Sequence, residues 1–163
     1  MNNIAIANET IKITADGFYE LGGKKIELPC EDTSAVEVWS PEKGAALVES
    51  LVIPEGDMCS ITVTKEDSFT AASRFENAFV MNFANAHKAG GGFRLGANTQ
   101  EEALCRCSTL YASITSEAAG RCTAITTLTS APRSRTICCI RLMYAFSEAV
   151  NVSCWRNRSR CPS

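Results

Sequence analysis

The chain has 163 residues and a mass of 17.6 kDa, with 45% apolar and 21% charged residues, enough for one globular domain and unlike disordered, collagen-like or disulfide-stapled chains. No apolar run approaches the length that crosses a bilayer, and the opening MNNIAIANET lacks the basic region, apolar stretch and cleavage site of a secretory signal, so a cytoplasmic protein with reduced cysteines and no membrane partner is expected. The net charge of −2 hides an asymmetry: residues 1–120 hold 9 Lys+Arg against 17 Asp+Glu, and residues 121–163 hold 7 against 1, giving −8 and +6.

In chain order, the first third reads as β structure, with strands at Ile11 to Thr14, Phe18 to Glu20 and Lys25 to Leu28, and Gly22-Gly23 as a hairpin turn. A further strand is expected over Val36 to Trp39, where Trp39 reads as a core residue. Pro41 breaks it, a short helix follows around Ala45 to Leu51, and CSITV, Cys59 to Val63, returns to β alternation. Asp67 is a helix N-cap, and the segment after it sets Phe69, Ala72 and Phe75 at helical spacing. An apolar strand over Ala78 to Phe83 then feeds a glycine-rich loop from Asn85 to Thr99. From Gln100 to about Ala119 the pattern is helical, with Leu104, Cys107, Leu110, Tyr111 and Ile114 on one face.

The chemistry concentrates where that loop opens the helix. Gly90, Gly91 and Gly92 let the backbone adopt positive φ and approach a ligand closely, and loop N–H groups beside a helix start can cradle a phosphate or diphosphate. Three glycines in a row also read as a flexible loop and nothing more. Gln100, Glu101 and Glu102 begin the helix just beyond, which brings carboxylates and glycine amides to one cleft. Adjacent helical residues point about 100° apart, so Glu101 and Glu102 cannot oppose each other as the carboxylates of an ordinary glycosidase do. One can do chemistry while the other binds. The alternative is structural: Thr99-x-x-Glu102 is a capping-box pattern, in which Glu102 bonds back to the Thr99 amide. A glutamate in a first helical turn is also favoured as an anion, whereas a general acid must hold its proton near neutrality.

Other residues carry less. Cys105 and Cys107 lie two apart on a helix, point to nearly opposite sides and read as packing residues, so no metal site is expected. His87, the only histidine, reads as a loop contact. Ser108 has no adjacent histidine to activate it. Arg106 reads as the i, i+4 partner of Glu102.

VMNFANAHKAGGGFRLGANTQEEALCRCSTLY, Val80 to Tyr111, resembles the microbial, macrodomain-type poly(ADP-ribose) glycohydrolases, whose signature is GGG, six to eight residues, then QEE. ETIKITADGFYELGGKKIELP is similar to that family's leading segment, so the resemblance covers most of residues 9–119. It implies an α/β fold, a three-layer α/β/α macrodomain with a mixed sheet, of which this chain holds the N-terminal part. It also implies hydrolysis of the ribose–ribose O-glycosidic bond of poly(ADP-ribose) by the intact fold, with no cofactor. Glu102 would be the catalytic acid/base, Glu101 would hold ribose hydroxyls, and Gln100 would support the carboxylates. Asn85 would contact the distal ribose, Gly90 to Gly92 the diphosphate, and Phe93 the neighbouring ligand surface. The implied partner is poly(ADP-ribose) or an ADP-ribosylated protein, met by a monomer when the fold is intact. Competing readings are a non-catalytic ADP-ribose-binding macrodomain and a pseudogene product without activity.

Residues 121–163 differ in kind. Seven arginines and five cysteines occur there with no Lys, Asp, Gly or Gln. The tail lacks the lysines and interleaved aromatic or glycine residues usual in basic nucleic-acid-binding tails, so no sequence-specific nucleic-acid partner is expected. It reads as an out-of-frame translation with no domain of its own. Joining the third base of each codon to the next two permits YSPDVCVFR and LLEEPFKVSV, which resemble stretches that follow in the same family. On that reading residues 1–120 are the N-terminal portion of the domain, and the chain as written is poorly stable and inactive, because a half-built sheet bares a strand edge and an apolar face.

Overall fold

The structure is a computed structural model and describes residues 2–28, 36–52, 56, 59–75, 78–85, 87–120 and 139–142. The chain opens not with a strand but with helix α1, Asn3–Asp16. Its signals are local. The Asn2 side chain accepts from the amides of Ile4 and Ala5, and Gly17 ends the helix in the left-handed conformation with its N–H on the Ile13 carbonyl. Ala7, Thr10 and Ile13 recur every third residue and are buried, which is helical spacing. The β-branched residues that suggested a strand are accommodated: the hydroxyls of Thr10 and Thr14 donate to the carbonyls of Ile6 and Thr10, each at 2.9 Å.

Strands β1, Phe18–Leu21, and β2, Lys24–Glu27, form the expected antiparallel hairpin, pairing Phe18 with Glu27 and Leu21 with Lys24 around Gly22-Gly23. Both glycines have positive φ, which a two-residue hairpin turn requires. Strand β3 spans Val36–Trp39 as expected. Helix α2, Pro41–Ser50, follows, with Ser40 as N-cap and Pro41 in its first turn, so the proline that stops the strand also starts the helix. Trp39 is half-buried, with the Lys43 ammonium 4.2 Å from its ring centroid, and is not the core residue expected. The antiparallel partner of β3 is β4, Cys139–Leu142, with Trp39 opposite Cys139. The rest of the tail lies outside the described residues.

Two expected strands form no ladder. Residues 59–63 and 78–83 are assigned to no strand, and Ile61, Val63, Phe79, Met81 and Phe83 are exposed. Apolar alternation makes a strand only when it pairs with an edge, and among the described residues neither segment joins either two-stranded sheet. Between them, Asp67 caps helix α3, Ser68–Ala72, by accepting from the Thr70 amide at 2.9 Å. Phe69 and Ala72 are buried as expected, whereas Phe75 lies beyond the helix end and is exposed.

The long final helix divides into α4, Gln100–Arg106, and α5, Leu110–Ile114, and residues 117–120 are again helical. Ser108 makes the break: its hydroxyl donates to the Leu104 carbonyl at 2.8 Å and accepts from the Leu110 amide at 3.2 Å, competing with the backbone ladder. The core gathers Ala7 of α1, Phe69 of α3, Phe93 of the loop, Leu104 and Cys105 of α4, and Leu110 and Ile114 of α5. Helix α1 lies against α4, α5 and the loop, so the element that sequence patterning missed is the one behind the candidate site. Among the described residues no helix is long and apolar enough to cross a membrane.

Candidate active site

The site is built from three consecutive side chains at the start of α4, each fastening a different stretch of the preceding chain. Gln100 accepts from the Phe83 amide at 2.9 Å and donates to the Met81 carbonyl at 2.8 Å and the Ser68 hydroxyl at 3.4 Å. It pairs with residues 81–83 as a neighbouring strand would. Glu101 Oε2 accepts from the Asn85 amide at 2.9 Å, and its Oε1 accepts from the Gly90 amide at 3.2 Å and the Asn82 side chain at 3.4 Å. Glu102 Oε1 accepts from the Gly92 amide at 2.9 Å, and its Oε2 accepts from the Thr99 amide at 3.1 Å and from the Thr99 hydroxyl. Glu101 is 2% exposed and Glu102 5%.

The capping box read from Thr99-x-x-Glu102 is therefore present, but only Oε2 serves it. Burial pushes the Glu102 carboxyl up; the Thr99 hydroxyl and the Gly92, Glu102 and Thr99 amides outweigh it and hold the carboxyl below its usual value of 4.5. The expected pairing with Arg106 is absent. The Arg106 guanidinium instead donates to the Ala97 carbonyl at 2.6 Å and to the Asn98 side chain, because the loop doubles back over α4 and offers acceptors nearer its end.

Each glycine of the triplet is pressed against something different. Gly90 and Gly91 have φ of +72° and +53°, in the region that glycine alone enters without cost. A Cβ at Gly90 would come within 2.7 Å of the Tyr111 ring, one at Gly91 would collide with Glu102 Oε1, and one at Gly92 would come within 2.6 Å of the Ala97 Cβ. The amides differ from the open anion cradle that the sequence suggests: that of Gly90 donates to Glu101, that of Gly91 to the Lys88 carbonyl at 2.9 Å, and that of Gly92 to Glu102. Buried carboxylates require donors, and these amides are the nearest.

Phe93 opens a short 3-10 turn, Phe93–Leu95. Its side chain is 1% exposed and packs on Tyr111 with ring centroids 4.5 Å apart, so it faces the core. Asn85 is exposed, and its side-chain oxygen accepts from the amides of His87 and Lys88, each at 3.0 Å, turning the loop at its entry. Cys105 is fully buried, and burial together with the charges of Glu101 and Glu102 pushes its thiol up to about 12. Sequence reasoning missed Asn3, whose side chain donates to the Gly96 carbonyl at 3.1 Å, and Thr10, whose hydroxyl donates to the Arg106 carbonyl at 3.0 Å. The Asn2 cap was the signal available for both, since it places them on a helix.

The model of the microbial-type poly(ADP-ribose) glycohydrolase catalytic domain matches residues 7–150. The chain belongs to this family. A crystal structure of poly(ADP-ribose) glycohydrolase from Thermomonospora curvata is 34% identical, with a TM-score of 0.68, over 80% of this chain and 50% of that one. The Thermomonospora curvata enzyme bound to the inhibitor ADP-HPD is 33% identical, with a TM-score of 0.64, over 80% and 49%. The chain thus spans about half the length of the solved relatives and has the mixed α/β fold of their N-terminal portion. The family match continues past Gly120 into the basic tail. A comparison with curated proteins found no match.

Proposed function

We propose that this site, in the intact family fold, hydrolyses the ribose–ribose O-glycosidic bond of poly(ADP-ribose). The observation that carries the reading is the joint burial of Glu101 and Glu102 against the glycine triplet, with backbone amides as partners and the guanidinium of Arg106 turned away. Two carboxylates buried side by side, with no cation paired to either among the described residues, are costly to hold, and a helix cap needs only one of them. In this reading Glu102 gives a proton to the leaving ribose oxygen as the glycosidic bond breaks, then takes one from the water that attacks the oxocarbenium-like carbon. Glu101 orients ribose hydroxyls, Asn85 lies at the distal ribose, and the backbone from Gly90 to Gly92 follows the diphosphate, with the Phe93 side chain turned to the core behind it. Binding of the diphosphate presses the ribose towards its reactive shape. Because the free carboxyl of Glu102 is held low, burial beside the bound ligand has to raise it before it can act as an acid.

The 163-residue chain by itself does not turn over in this account. It spans about half of the solved relatives, and Phe79 and Phe83 beside the site are 86% and 73% exposed. The test joins residues 1–120 to the C-terminal half of the Thermomonospora curvata enzyme and measures release of ADP-ribose from the polymer. The chimera releases it, and both the 163-residue chain and the Glu102→Gln chimera do not. A folded chimera that binds ADP-ribose without cleaving the polymer would favour the non-catalytic reading.

A further inference from the structure

We infer that Thr99 is a positioning residue that anchors Oε2 of Glu102 and leaves Oε1 as the oxygen that exchanges the catalytic proton. This rests on the acid/base reading of Glu102 and adds to it which atom works and which neighbour selects that atom.

A carboxylate oxygen has two lone pairs in the plane of the group. Those of Oε2 are both taken, one by the Thr99 amide and one by the Thr99 hydroxyl. Oε1 accepts the Gly92 amide at 2.9 Å, which leaves its second lone pair for a proton. A proton on Oε2 would require the Thr99 hydroxyl to give up its donation and turn to accept, whereas a proton on Oε1 displaces no donor. Thr99 precedes α4 and owes its place to the loop behind it, where Arg106 holds Ala97 and Asn98 and Asn3 holds Gly96. The hydroxyl therefore meets the carboxylate from a fixed direction. Glycine at position 91 keeps side-chain bulk off Oε1, because any Cβ there would collide with that oxygen.

Among the described residues, four titratable or charged groups stand near Glu102. Glu101 and Cys105 share its helix, Tyr111 of α5 meets the loop at Gly90, and Arg106 is directed to Ala97 and Asn98. The largest influence lowering the Glu102 carboxyl is the Thr99 hydroxyl, so its removal has a definite sign.

The test is a carboxyl ¹³C and amide ¹⁵N NMR titration of the 163-residue chain, with Glu102→Gln identifying the Glu102 signal by its loss. In the wild type the Gly92 amide shift follows the protonation of Glu102, and the Thr99 amide shift moves less. Thr99→Ser keeps the donor and the wild-type midpoint. Thr99→Gly removes the donor at little cost to the cap, since glycine is tolerated there, and raises the midpoint. A Thr99 amide that follows the titration while Gly92 stays still overturns the assignment without any variant. So does a Thr99→Gly midpoint equal to wild type, or a Thr99→Ser midpoint displaced as far as that of Thr99→Gly. Polymer cleavage by the Glu102→Gln chimera would instead remove the acid/base reading and leave the titration result standing.

Discussion

Gly92 and Thr99 stand at the two ends of one loop and donate their amides to the two oxygens of one carboxylate, that of Glu102, at 2.9 and 3.1 Å. The Ala97 amide closes the same loop on the Gly92 carbonyl at 3.1 Å. The glycine triplet, the spacer and the QEE triplet are thus one hydrogen-bonded unit. A charge placed at its centre sets both the shape of the loop and the chemistry available to it.

Gly91→Ala should be the most damaging single methyl in the unit. Its backbone has φ of +53°, where a side chain costs on the order of 1–2 kcal/mol, and the new Cβ would displace Glu102 Oε1. We expect lower thermal stability together with loss of the hydrogen bond from the Gly92 amide to Glu102, measured by unfolding and by amide exchange at Gly92. A variant whose Gly92 amide stays protected would show that the carboxylate tolerates the methyl.

Phe93→Ala should act on stability. The side chain is 1% exposed against Tyr111, and removing a buried phenyl group costs about 3–5 kcal/mol. Denaturant unfolding measures it. A loss well under 1 kcal/mol would mean that the ring is not a core residue and would return it to the ligand surface.

Glu102 makes stability depend on pH in a fixed direction. Its folded carboxyl lies below the usual 4.5, so it contributes stability above that value and loses it as pH falls through the folded value. Wild type should therefore lose stability below about pH 4.5 more steeply than Glu102→Gln. Parallel curves for the two would contradict the hydrogen bonds assigned here.

Thiol reactivity should separate the cysteines. Cys105 is buried with its thiol pushed up to about 12, while Cys59 is exposed. At pH 8 iodoacetamide should label Cys59 and leave Cys105 unmodified in the folded chain, as read by peptide mass spectrometry. Rapid labelling of Cys105 would mean that α4 is not packed as described.

Sequence patterning reached the features whose causes are local. The β1–β2 hairpin, β3 and the Asp67 cap each depend on a turn, a proline or a side-chain cap within a few residues. Helix α1 was missed because its β-branched residues at 11, 13 and 14 outweighed the cap at Asn2 and the spacing of Ala7, Thr10 and Ile13. Residues 59–63 and 78–83 alternate as strands do, yet a ladder needs a partner that no local pattern supplies. At the site, the glycines and carboxylates were legible as neighbours. Their hydrogen bonding was not: the amides of Gly90 and Gly92 face Glu101 and Glu102, and Arg106 turns to Ala97 because of how the loop folds back.

The composition break at residue 120 has its own test. The nucleotide sequence across the codons for Ser116 to Thr123 should show a base gained or lost if the tail is out of frame. An unaltered frame would leave the basic tail as the chain's own, in keeping with the pairing of β4 with β3 and the family match to residue 150.

Whether Glu102 carries the proton in cleavage of the ribose–ribose bond is read from release of ADP-ribose from poly(ADP-ribose) by the chimera with and without Glu102→Gln. The parent chimera should release it and the variant should not, with ADP-ribose binding retained in both. Equal release by the two would contradict that role for Glu102.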